Sequence, residues 1–97
     1  MKPVEFHPRA EDELAETVAF YDRESARLGD EFTNAVELAA EFIRTHPQAG
    51  SPLSGEIRRW QVRRFPYTVI YREEPERVYI LALAHHRRQP GYWANRI

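Results

Sequence analysis

The nine residues HHRRQPGYW, positions 85 to 93, follow directly on the apolar run VYILALA. Histidine and tyrosine can move protons. Arginine can grip a phosphate or carboxylate through its planar fork, and an aromatic ring can stack on a base. The same residue types can also fasten a chain end to a core. His85 and His86 are adjacent at a strand end, so their side chains leave on opposite faces and cannot share a metal ion. His7 and His46 show no ligand spacing and the chain has no cysteine, so neither a metal site nor a cofactor is expected. One of these histidines is expected in the core and the other in solvent, with His86 the candidate for functional use. Arg87 and Arg88 also face opposite ways. They can pair with acidic helices, or meet a partner's carboxylates or nucleic acid. Tyr92 and Trp93 read as anchors that pack the terminal turn onto the sheet, with a base stacked on Tyr92 as the sharper alternative.

Charge divides the chain. Residues 1–50 carry 5 Lys/Arg against 11 Asp/Glu, and residues 51–97 carry 9 Arg against 4 Glu. Every basic residue after Lys2 is arginine. Such a division either neutralises itself across the fold or leaves a basic surface for an acidic partner. Hydrophobic residues at 42% and charged residues at 30% place the chain among globular rather than disordered proteins, as one domain over residues 1–97. No apolar run approaches the roughly 20 residues that span a bilayer, and MKPVEFHPRAEDE lacks a signal peptide's apolar stretch. The expected location is cytoplasmic, away from membranes.

The elements that must position these groups can be read along the chain. PVEF, residues 3–6, alternates as a short strand. Pro8 suits the first turn of a helix, and Glu11, Asp12 and Glu13 favour its N-terminus through the helix dipole. Ala10, Leu14, Val18 and Tyr21 form its apolar stripe, with Leu28 completing it. Gly29 is expected to cap this helix and Asp30 to open the next, whose stripe is Phe32, Val36, Ala39 and Ile43 before Pro47 stops it. HPQAGSPLSG reads as a loop. EIRRWQVRR, YTVIYRE and RVYILALA read as three strands joined by turns, the last apolar on both faces and therefore interior. Trp60 and Val62 point one way from the first of these, and Arg59, Gln61 and Arg63 the other. Tyr67 and Tyr71 share the parity of Val69 and belong under the helices. The expected fold is α+β, ordered β-α-α-β-β-β, with a long helical hairpin on one face of a curved antiparallel sheet. The other face would be open and lined by arginines.

With AEDELAETVAFY near the start, RRFPYTVIYRE in the sheet and HHRRQPGYW at the end, nearly the whole chain resembles the RelE/ParE toxins of bacterial type II toxin–antitoxin systems. The resemblance implies a plasmid-stabilisation type of toxin, held inactive by a cognate antitoxin that wraps it. Operator DNA would be reached only through the antitoxin. It also implies a choice of target. RelE-like members cut mRNA in the ribosomal A site, whereas ParE-like members poison DNA gyrase.

RNA cleavage needs help for the attacking 2′-hydroxyl, cations on the phosphate and an acid for the leaving oxygen. RelE-like enzymes place an arginine where this chain has Thr68, and a threonine neutralises no phosphate. His86 and Tyr92 match a basic residue and a tyrosine that those enzymes use, and Arg63 could reach the same face. These three are the candidates for an RNase. Helices near 18 and 16 residues resemble the ParE branch, so gyrase is the favoured target, with a ribosome-dependent endonuclease or a diverged interaction module as alternatives. Arg59, Arg63, Arg87 and Arg88 are the candidates for binding antitoxin or target, and Trp93 for anchoring the end.

Overall fold

A computed structural model describes residues Met1–Ile97. The strands are β1 (Val4–Phe6), β2 (Ser51–Ser54), β3 (Ile57–Gln61), β4 (Tyr67–Glu73) and β5 (Val78–His85). The helices are α1 (Pro8–Glu24) and α2 (Leu28–Thr45), with a single 3-10 turn at Ala94–Arg96. The sheet order is β1-β5-β4-β3-β2, and the helical hairpin packs on one of its faces. The α+β reading holds.

Three details depart from the sequence reading. The loop after α2 contains β2, an antiparallel edge strand on β3. Its proline and serines disguise it, because an edge strand needs ladder bonds on one side only and tolerates Pro52 there. The sheet is mixed, since β1 runs parallel to β5 with Val4 opposite Val78 and Phe6 opposite Ile80. The crossover that a parallel pair requires is everything between those two strands. The junction of the helices also moves. Arg27 takes the left-handed conformation at φ 70°, and α2 starts at Leu28. Gly29 therefore lies inside the first turn, where its N–H donates to Asp22 Oδ1 at 3.0 Å. A Cβ on Gly29 would stand 2.3 Å from that oxygen, so the tight approach of the two helices excludes a side chain.

The hairpin's stripes differ in depth. Phe32, Val36, Ala39 and Ile43 of α2 are all buried as their spacing requires. On α1 only Ala10 and Thr17 are buried, while Leu14, Val18 and Tyr21 pack at the margin. The line of α1 facing the sheet thus runs Ala10–Glu13–Thr17. Within the core between hairpin and sheet, Tyr71 is fully buried, takes the N–H of Gly50 (3.0 Å) and donates to the carbonyl of Pro47 (2.8 Å). This hydroxyl ties the end of α2 to the middle of the sheet.

A bulge in β5 divides the apolar residues between the two faces. Tyr71 faces Ile80 and Ile70 faces Ala82, so Leu81 is an extra residue in the ladder. Ile80 and Leu83 consequently point under the helices, and Leu81 and Ala82 point to the other face. There they form a second small core with Ile57, Ile70 and Trp93. The residues after β5 fold back to cover that core, helped by Gly91 at φ 78°, a conformation that costs glycine little.

Trp93 retains 7% of its surface exposure and closes this second core. Trp93→Ala should lose about 3–5 kcal/mol of stability, and the thermal midpoint should fall by roughly 10 °C or more in a domain of this size. A calorimetric melt of the variant checks this, and an unchanged midpoint would mean that the indole is not a packing anchor.

Candidate functional site

Where β1 stops, β5 continues without a neighbour. The chain leaves the sheet at His7, whose N–H still donates to the Ile80 carbonyl (2.8 Å), and then enters α1. The backbone of β5 from Leu81 onward therefore has a free edge, and buried backbone groups demand partners. Side chains supply them. Glu13 Oε1 accepts the N–H of Leu83 at 2.9 Å, and Arg96 donates to the carbonyl of Leu81 at 3.0 Å. Arg96 also grips Glu13 through both terminal nitrogens, at 3.0 and 2.9 Å. Tyr92 donates its hydroxyl to Glu13 Oε2 at 2.8 Å. Helix, strand edge and terminal segment thus meet on one carboxylate.

This arrangement sets the chemistry of Tyr92. Burial, then the hydrogen bond to Glu13 and its negative charge, push the hydroxyl's pKa up, outweighing Arg96 and Arg88. Tyr92 is a proton-bearing donor that is already committed. The guanidinium of Arg88 lies over its ring, 3.8 Å from the centroid. Such stacking draws the exposed guanidinium toward the ring by about 0.5–1 kcal/mol.

Arg88 and Tyr92 form one wall of a cleft of about 680 Å³ on the sheet face away from the helices. Thr68 and Ile70 of β4 line it between the strands on either side, and Arg59 and Gln61 of β3 form the opposite wall. Gln61 is held by two bonds from its amide to the carbonyls of Val62 (2.8 Å) and Phe65 (2.9 Å). His85 and His86 lie at one end, and no carboxylate lines the cleft. His85 sits edge-on to Tyr67 with ring centroids 5.0 Å apart, and its Nδ1 accepts the N–H of Arg87 (3.0 Å). It is half-buried, whereas His86 is exposed.

The cluster suggested by sequence is therefore brought together only in part. His86, Arg88, Tyr92 and Trp93 line the cleft with Arg59 and Thr68, but Arg63 and Arg87 do not. Arg63 lies in the turn after β3 and is exposed, as is Arg87. No group of three or more His, Asp or Glu side chains is placed to hold a metal ion. The charge division resolves both ways. Arg64–Glu31 (3.2 Å), Arg77–Glu5 (2.9 Å) and Arg96–Glu13 (2.9 Å) join basic and acidic halves. Arg59, Arg63, Arg87 and Arg88 form no ion pair, so their charge is available to a partner. Glu13 and Arg96 were hidden from the sequence reading, which took Glu13 as one of three acids favouring a helix start. The available signal was its place between Ala10 and Thr17, at spacings of three and four on the buried line.

The described fold is shared. A solved structure of the chromosomal ParDE toxin–antitoxin system from P. aeruginosa superposes with a TM-score of 0.63 at 15% identity, over 88% of this chain and 96% of that one. At that identity the likeness concerns the fold: two helices on a five-stranded mixed sheet. Sequence carries the assignment further. Residues 4–90 match the family described as the ParE toxin of the type II toxin–antitoxin system parDE, and the chain belongs to that family. No curated protein matches it.

The Glu13–Arg96 pair is shielded, with side-chain exposures of 14% and 7%. Glu13→Ala strands a buried guanidinium and should cost about 3–5 kcal/mol. Adding Arg96→Met should recover a large part of that loss, since no unpaired charge then remains. A double-mutant cycle by urea unfolding measures it, and additive losses would show that the pair is not the source of the stability.

Proposed function

We propose that this ParE-family toxin acts in the cytoplasm by binding and poisoning DNA gyrase, and that a cognate antitoxin neutralises it. The observation that carries the choice of target is the state of Tyr92. Its hydroxyl already donates to Glu13 and its pKa is raised, so it is poorly suited to take a proton from an attacking 2′-hydroxyl. The strand lining of the cleft adds to this. At its position on β4, Thr68 offers no cation, so the cleft's cations stand only on its walls, at Arg59 and Arg88, and a charge-assisted contact missing at a cleavage centre costs on the order of 3 kcal/mol, about a hundredfold or more in rate. Arg63, the third candidate for RNA cleavage, lies outside the cleft lining. The family's toxin–antitoxin character supports an antitoxin partner, and the unpaired arginines supply a surface that complements acidic side chains.

Purified protein should inhibit gyrase supercoiling or trap its cleavage complex, and should leave mRNA on programmed ribosomes uncut. Both assays are run on one preparation, with antitoxin added back as the specificity control. Codon-phased mRNA cleavage that disappears in Tyr92→Ala, with gyrase unaffected, would overturn the reading in favour of an RNase. For the partner, co-expression should give a tight complex of standard interface size or larger. Arg59→Glu combined with Arg63→Glu should weaken that complex at least tenfold while leaving the thermal midpoint within a few degrees, because both side chains are exposed. Unchanged affinity in calorimetric titration would move the antitoxin's seat to the helical hairpin.

A further inference from the structure

We propose that the protein self-associates head to tail, an acidic groove along α1 of one copy receiving the arginine-bearing β2–β3 edge of the next. The groove has a volume of about 670 Å³ and a floor of Phe6, Leu14 and Val18. Glu11 and Asp22 are the first and last α1 residues along it, about 16 Å apart at 1.5 Å per residue. That is about the length of a five-residue strand such as β3. No cation lines the groove. The carboxylates held in ion pairs are Glu5, Glu13, Glu31, Glu41, Glu73 and Glu74. Glu11 and Asp22, with Asp12 and Glu16 on the same helix, therefore keep their charge for a partner. An apolar floor between free carboxylates suits an occupant that brings an apolar side chain flanked by cations.

The chain carries such an occupant. β2 and β3 form one edge of the sheet, where Leu53 and Arg59 line the face away from the helices. Leu53 is 39% exposed and is the extra residue of a bulge. Arg59 is exposed and unpaired, and Arg63, in the turn after β3, is a second exposed and unpaired cation. Pro52 and the bulge discourage growth of the sheet by strand addition, so this edge docks through side chains. Leu53 meets the apolar floor, and Arg59 and Arg63 meet the carboxylates along α1.

Topology makes the contact open-ended. α1 packs on β5 and β1, which lie toward one end of the sheet, whereas β3 and β2 lie at the other. The groove belongs to the helical layer and Arg59 to the opposite face. One neighbour cannot engage both surfaces, so each copy uses its groove on one neighbour and its edge on another. A contact of this kind is heterologous and extends unless its rotation closes a ring. Leu38 and Phe42 on α2 are also exposed, but two copies meeting there would bring an acidic helix against itself.

The inference does not rest on the choice of target, and its test needs only the purified, antitoxin-free protein. Sedimentation velocity at roughly 0.01–0.1 M salt should show a mass that rises with concentration past that of a dimer. At roughly 1 M salt, where the screening length is about 3 Å, the protein should return to monomer. Glu11→Gln with Asp22→Asn neutralises the groove and keeps a side-chain acceptor for the Gly29 N–H. Arg59→Gln with Arg63→Gln neutralises the edge. Each variant alone should associate at least about tenfold more weakly than the parent. An equimolar mixture of the two should form dimers and stop there, because the intact edge of the first fits the intact groove of the second and both remaining surfaces are neutral. Melting curves check folding, and Glu11→Gln alone takes the place of the groove variant if its midpoint falls. A parent that stays monomeric or stops at a dimer would overturn the proposal, as would a mixture no heavier than its components. Association that survives both variants and high salt would also overturn it and move the contact to Leu38 and Phe42.

Discussion

One carboxylate holds the sheet's unfinished edge. Because β1 is only three residues long and its chain turns into α1 at once, β5 outruns its neighbour and exposes Leu81 and Leu83 to a place where no strand can follow. An unsatisfied buried backbone group costs about 1–3 kcal/mol. Glu13 and Arg96 answer for two of them and for each other, at contacts between 2.9 and 3.0 Å. The price of taking two charges out of water is high, and it is offset here by the number of bonds each charge makes. Much else follows from this choice. α1 must lie with Ala10, Glu13 and Thr17 toward the sheet, and the terminal 3-10 turn must return to β5.

The bulge at Leu81 and this carboxylate work on the same strand. A bulge reverses the side-chain parity beyond it, which is why β5 supplies Ile80 and Leu83 to the large core and Leu81 and Ala82 to the small one. Without the small core, Trp93 would have nothing to pack on. Without Trp93 and the Glu13 contacts, the residues carrying Arg88 and Tyr92 would have no fixed position. The cleft's wall is therefore a consequence of how the far edge of the sheet is finished, not of the residues that line it alone.

Electrostatics in this protein follows the same division of labour. Arginines whose neighbours are acidic are consumed in the fold: Arg77 joins both Glu74 and Glu5, which raises its pKa, and Arg72 shares Glu74. The hydrogen bonds of Arg77 and Arg72 hold Glu74 below its usual range, even though burial works against them. At exposed positions such pairs contribute little each. Their larger effect is on what is left over. The cationic side chains of the cleft and its margins face no carboxylate, so the surface available to an anionic or acidic partner is defined as much by pairing elsewhere as by the arginines themselves.

Local pattern determined a good deal of this. The 3.6-residue stripe Phe32–Val36–Ala39–Ile43 places α2 correctly. The parity of Tyr67, Val69 and Tyr71 assigns the helix-covered face of β4, and the length and apolarity of VYILALA require an interior strand. These features are periodic and need only near neighbours to be read. What the tertiary structure decided is whatever depends on residues far apart in the chain. The parallel pairing of β1 with β5 joins positions 4 and 78, and the Glu13–Arg96 bond joins two residues separated by 83 positions. The edge strand β2 has no periodic signal, because all four of its residues are exposed. The composition of HHRRQPGYW named the chemistry available, but composition cannot say which groups are already spent. Tyr92 is a free hydroxyl in the sequence and a bound donor in the fold, because only the fold brings Glu13 to it.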